Sequence, residues 1–205
     1  MWSMAEYCRR EPLKSACWIY VLLTLVPGLF FPGENPYLAE SVFRYLLPGA
    51  LACFAAVKFY KADVRRSFGI KGAGRSLLYC APIGLLCGIN LGVSGFPVCR
   101  PEQFVWICCA ALGEEVMGRM MLFHGVLLGA GRDGLKKPIL LSGVIFGLMH
   151  AVNLGVTGIR GAVFQILYTA AIGTLFAWSY HKTGCLWGCI VWHFMLNLTG
   201  LTGNL

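Results

Sequence analysis

Charge is what this sequence has little of. Only 13% of its 205 residues are Asp, Glu, Lys or Arg, against about 25% in soluble domains. With a mean hydropathy of +0.69, that deficit excludes an ordinary water-soluble domain and points to an integral membrane protein. Acidic residues are the scarcest, nine against seventeen basic ones. No CxxC pair occurs, so the ten cysteines read as small buried thiols rather than a zinc or redox site. HExxH is also missing, which removes the usual zinc-protease signature. No long linker, low-complexity tract or clear internal repeat divides the chain, so residues 1–205 read as a single membrane domain. No small-x-small cleavage site follows the first apolar run, and a cleaved signal peptide is not expected. Arg9 and Arg10 read as a basic flank of that run rather than a twin-arginine export signal.

What the chain has is long apolar runs. Ser15–Gly33, Tyr45–Val57, Ser76–Cys99, Pro138–Ile159, Gly161–Tyr180 and Thr183–Leu205 carry no charge at all. Crossing the hydrocarbon core takes roughly 20 residues of helix. Tyr45–Val57 is short and needs its flanks, Val42 to Tyr60. Phe104–Leu128 has the right length but contains Glu114, Glu115 and Arg119. The expected fold is an all-α polytopic membrane bundle of about seven transmembrane helices.

The basic residues supply its orientation. Thirteen of seventeen fall on alternate connections: Arg9, Arg10 and Lys14; Lys58 to Arg75; Arg132, Lys136 and Lys137; and Lys182. By the positive-inside rule the N-terminus is cytoplasmic. This placement accounts for the net charge of +8, so no nucleic-acid partner is needed. Glycines four residues apart (Gly84–Gly88–Gly92, Gly125–Gly129, Gly143–Gly147, Gly184–Gly188) are spaced for close helix packing.

The chemistry must lie with the few polar groups inside the spans. Glu115 and Arg119 are i,i+4 neighbours and suited to an ion pair. Glu114 points about 100° away from Glu115. His150 lies in FGLMH, and His193 with Asn197 in HFMLN, again at i,i+4. At about 1.5 Å per residue, Glu114 is about 15 Å from Phe104, His150 about 18 Å from Pro138 and His193 roughly 10 Å from Leu186. The three spans can therefore converge on one polar cavity. Ionisable groups cost roughly 2.5–3.5 kcal/mol each at mid-bilayer, so they should face one another and water. A carboxylate beside an imidazole can activate water and protonate a leaving amine, while a His–Asn pair can donate to an oxyanion. The same residue types can also hold a divalent metal such as zinc, with Glu114, His150 and His193 as the ligands.

EEVMGR (EExxxR), FGLMH (FxxxH) and HFMLN (HxxxN), in this order and each in an apolar run, resemble the CAAX-protease and bacteriocin-processing family, also called Abi. The resemblance covers about residues 104–197, the motif-bearing core. It implies an intramembrane endopeptidase, related to the type II CAAX prenyl endopeptidases and either glutamate-dependent or a metalloprotease. By motif position it implies Glu114 as general base with His150 as its partner, His193 and Asn197 as the oxyanion-stabilising pair, and Glu115 with Arg119 as a supporting ion pair. One departure is that Gly118–Arg119–Met120 stands where family members often read FRG.

The implied substrate is a peptide or protein segment reaching the inner leaflet, either a CAAX-type tail or a bacteriocin leader. The compact size of the chain gives the cell membrane of a prokaryote as the expected setting. Two other readings fit some residues. GVSGF resembles the rhomboid motif, with Ser94 as nucleophile. A non-catalytic scaffold, an immunity protein or a proton-coupled carrier would also use buried Glu and His. His124 reads as a surface or headgroup contact, and Asn90 and Gln165 as interhelical hydrogen-bonders.

Overall fold

A computed structural model describes residues 3–30, 38–96, 98–130 and 136–200. These residues form helices and short connections, with no strand among them. The FPGENP turn, Arg132 and the last five residues lie outside the described residues.

The first helix, α1 (Met4–Arg10), starts under a reciprocal cap. Glu6 N–H donates to Ser3 Oγ at 3.3 Å, and Ser3 N–H donates to the Glu6 carboxylate at 2.8 Å. Pro12 has no N–H to continue α1, so it opens α2 (Pro12–Phe30), where none is needed. Next comes α3, Val42–Tyr60, which matches the short Tyr45–Val57 window with its flanks. A bent pair follows, α4 (Ala73–Cys80) and α5 (Pro82–Ser94). The 54° bend falls at Pro82, which removes a helical hydrogen bond.

The helix α6 starts at Pro101–Glu115 and continues through a π-helical stretch, Val116–Phe123, to His124–Gly129. Its neighbours are α2, α3 and three later helices: α7 (Lys136–Leu148), α8 (Leu154–Thr183) and α9 (Trp187–Gly200). This central position puts the charged middle of α6 inside the bundle.

Val42–Tyr60 and Lys136–Thr183 are each long and apolar enough to cross a bilayer, and α4 with α5 makes a third candidate. These helices make the chain an integral membrane protein. Lys136–Thr183 has 48 residues. Straight, it would run about 72 Å, more than twice the roughly 30 Å of hydrocarbon. It does not run straight. Gly143 lies against Thr174, and Gly147 against Ala170 and Ile166, so α7 and α8 are antiparallel. The chain reverses through a 3-10 turn, Met149–Asn153, and at Gly158, whose φ of 69° and ψ of 175° end the helix locally. The sequence places this break at Arg160, two residues later.

Small residues seat the other crossings. A Cβ on Gly113 would fall on the Tyr45 carbonyl, one on Gly125 on Ala16, and one on Gly188 on Ser76. Two expected packing glycines behave otherwise: among the described residues, no atom of another helix lies within 4 Å of where a Cβ at Gly88 or Gly92 would sit.

Candidate active site

Glu115 and Arg119 both have 0% exposure, midway along α6. Arg119 Nε donates to Glu115 Oε2 at 2.9 Å. The other carboxylate oxygen, Oε1, is 2.8 Å from His193 Nδ1 on α9. A neutral imidazole facing a carboxylate through Nδ1 carries its hydrogen there, which leaves the Nε2 lone pair free. That nitrogen faces Glu114, with 3.8 Å between Nε2 and Oε2. The separation is too long for a direct hydrogen bond, yet one water can touch both atoms. Glu114 and His193 also keep 23% and 12% of their side chains exposed, so neither is fully enclosed.

Consecutive carboxylates thus have different surroundings. Glu115 is enclosed and bonded on both oxygens, while Glu114 meets the open side of the same imidazole. The π-helical stretch that follows them is a local widening of the coil, a feature often found at functional sites.

Aromatic rings complete the enclosure. The Arg119 guanidinium carbon lies 4.4 Å from the Phe146 ring centroid and 5.8 Å from that of Phe176. Both terminal guanidinium nitrogens are buried, with no hydrogen-bond partner among the described residues. The ring faces offset part of that cost through cation–π attraction. Phe146 also packs against both histidines, its centroid 5.3 Å from His150 and 6.3 Å from His193. The Phe of FxxxH is therefore the surface on which the arginine and both imidazoles meet.

Glu114, Glu115, Arg119 and His193 come together. No described bond joins His150 or Asn197 to them. His150 Nδ1 is 3.1 Å from the Phe146 carbonyl oxygen, one turn back, so Nδ1 carries the hydrogen and Nε2 is the acceptor. Its link to the cluster runs through the Phe146 ring. Asn197 lies one turn beyond His193 on α9. The side chain of Ser94 lies outside the described residues.

Other polar residues have separate duties. Asn153 Nδ2 donates to Gln165 Oε1 at 3.0 Å across the α7–α8 reversal, and Asn90 Nδ2 to Thr199 Oγ1 at 3.4 Å. His124 is not the surface contact expected of it. Its Nε2 is 3.3 Å from the Tyr180 hydroxyl, which is 2.8 Å from Ser67 Oγ. The approach of α8 encloses it.

A metal site would need three converging donors. Among the described residues no three His, Cys, Asp or Glu side chains converge so. One nitrogen of His193 is committed to Glu115, leaving Nε2 and Glu114 as two donors. Glu114, His150 and His193 do not fit a three-ligand centre in this arrangement.

Residues 101–199 match the family model described as type II CAAX prenyl endopeptidase Rce1-like. That segment belongs to the CAAX-protease family. It runs from the first residue of α6 almost to the end of α9, and so takes in every residue of the three motifs. Membership implies a protease of the CAAX type. No curated protein and no solved structure matches the chain.

Proposed function

We propose that the chain is an intramembrane endopeptidase that hydrolyses its substrate with water held between Glu114 and His193. The supporting observation is the 3.8 Å gap between Glu114 Oε2 and His193 Nε2, closed off behind by the Glu115–Arg119 pair. Glu114 takes a proton from the water while Nε2 accepts the water's other hydrogen. The hydroxide attacks the scissile carbonyl, and Glu114 then passes its proton to the leaving amine. Glu115 fixes the tautomer and orientation of His193 through Nδ1. The Asn197 amide donates to the oxyanion. His150, oriented by the Phe146 carbonyl, offers Nε2 to the scissile N–H. This pairing of Glu114 with His193 replaces the sequence-based expectation of Glu114 with His150.

The proposal places seven passes in the membrane: α2, α3, the bent α4–α5 pair, α6, the two antiparallel segments of Lys136–Thr183, and α9. The positive-inside arrangement puts the N-terminus in the cytoplasm. The single domain, its motif-bearing core over 104–197 and a prokaryotic cell membrane belong to the same proposal. The substrate is a peptide segment reaching the inner leaflet. An apolar cavity of about 230 Å³ between α3 and α6, lined by Leu46, Cys53, Leu112 and Val116, is sized for an apolar part of it.

The test is purified protein with a peptide library, assayed with and without chelator, beside Glu114→Ala. Cleavage by the wild type alone, at equal membrane insertion, is the expected result. Equal cleavage by Glu114→Ala contradicts the proposal, and function retained without any cleavage favours a scaffold or carrier.

A further inference from the structure

One cavity lies away from the carboxylates. It has a volume of about 480 Å³ and lies at one end of the bundle, between the α3–α4 and α8–α9 connections. Arg65, Arg66, Lys71, Arg75 and Lys182 line it. All five are exposed, and none is ion-paired among the described residues. The nearby Asp63 carboxylate instead accepts the Arg66 backbone N–H at 3.1 Å, capping the one-turn helix Val64–Phe68. Five like charges around one concavity raise the local positive potential and call for an anion.

The walls are tied together before any ligand arrives. Leu186 N–H donates to Ser67 O at 2.8 Å, Trp187 Nε1 to Phe68 O at 2.9 Å, and Ser76 Oγ to Cys185 O at 3.0 Å. Gly184, with φ 68°, has no side chain, and Arg66 lies across the space where one would stand. The guanidinium is thereby laid against the backbone at the cavity wall. Apolar groups flank the charges: Ile70, 87% exposed, sits between Arg66 and Lys71 in the chain, and Leu78 is 68% exposed one turn beyond Arg75. A wholly aqueous ligand gives no reason to hold these side chains beside the site, whereas a lipid does.

We propose that this cavity seats a phosphate group, presented by an anionic phospholipid of the adjoining leaflet. The guanidinium groups of Arg65, Arg66 and Arg75 supply planar donors suited to phosphate oxygens, and the two lysines add point charges. The lipid source rests on the membrane reading; the phosphate chemistry does not. Trp187 opens α9, the helix that carries His193. A headgroup that orders the α8–α9 connection therefore also steadies the helix that holds the proposed water.

The experiment compares wild type, Arg66→Gln/Arg75→Gln and, as a control away from the cavity, Arg160→Gln. Each is placed in nanodiscs of phosphatidylcholine alone or with about one part in five phosphatidylglycerol. A parallel arm titrates inorganic phosphate in zwitterionic detergent. Bound lipid is read by native mass spectrometry and stability by thermal unfolding. The wild type and Arg160→Gln should retain phosphatidylglycerol and gain Tm. The double variant, folded in phosphatidylcholine, should bind about tenfold or more weakly, since a hydrogen bond to a charged group is worth roughly a factor of ten. A Tm gain with phosphatidylglycerol alone assigns the lipid headgroup. An equal gain with inorganic phosphate assigns the phosphate in its free form. Equal phosphatidylglycerol retention by wild type and double variant, or none by either, overturns the inference. Glu114→Gln should bind as the wild type does, so loss of the proteolytic reading and loss of this one register separately.

Discussion

At the middle of α6, Glu115 and Arg119 are fully enclosed, and the pair is completed by one imidazole and two aromatic rings. At the bundle end, five cations surround a cavity of about 480 Å³ and pair with no carboxylate among the described residues. The difference follows from the surrounding medium. In the bundle interior an unmatched charge costs several kcal/mol, so the chain must supply the counter-charge itself. At the rim, water and salt screen the charges, so they can stand together and serve topology or binding. Glu114 lies between these regimes, beside a matched pair but still partly exposed.

The comparison breaks most readily at Arg119. Arg119→Ala leaves Glu115 buried without its cation and is expected to cost about 3–5 kcal/mol, seen as a lower Tm in detergent and a lower folded yield. An unchanged Tm would mean the pair is not needed to seat the helices. Phe146→Leu keeps an apolar group but removes the ring under the guanidinium. A loss of about 1–2 kcal/mol is expected in the same assay.

At the exposed extreme, the Ser3 N–H and hydroxyl hold the Glu6 carboxyl below its ordinary value of 4.5. A lowered folded pKa contributes stability fully present above that ordinary value and lost as pH falls through the folded one. Amide protection factors in α1, taken against the intrinsic exchange rate at each pH, should therefore fall below about pH 4.5 in the wild type, and Glu6→Gln should remove that fall. The effect should stay within α1.

Some of this was legible in the sequence, and the reasons differ by feature. The Glu115–Arg119 bond was, because i,i+4 spacing is a local property of a helix. The helices were, because each apolar run is long. The reversal was legible to within two residues: the charge of Arg160 marked the break, whereas the backbone turns at Gly158, where a positive φ is cheap. The bond from Glu115 to His193 joins residues 78 apart. No periodicity reports which imidazole a carboxylate will meet across helices. Likewise, the i,i+4 spacing of FxxxH puts Phe146 and His150 on one helix face but does not report that the Phe146 ring also lies under Arg119. The missing contacts at Gly88 and Gly92 show the converse: the four-residue step permits close packing without requiring it.

The division of labour between adjacent carboxylates is tested most directly by assaying Glu114→Gln and Glu115→Gln side by side for peptide cleavage and Tm. Glu114→Gln should lose about 10²–10⁴-fold in kcat, the usual contribution of general acid–base catalysis, with Tm close to wild type. Glu115→Gln should lower Tm along with activity. Wild-type cleavage by Glu114→Gln, or a Tm loss equal in the two variants, would contradict the account.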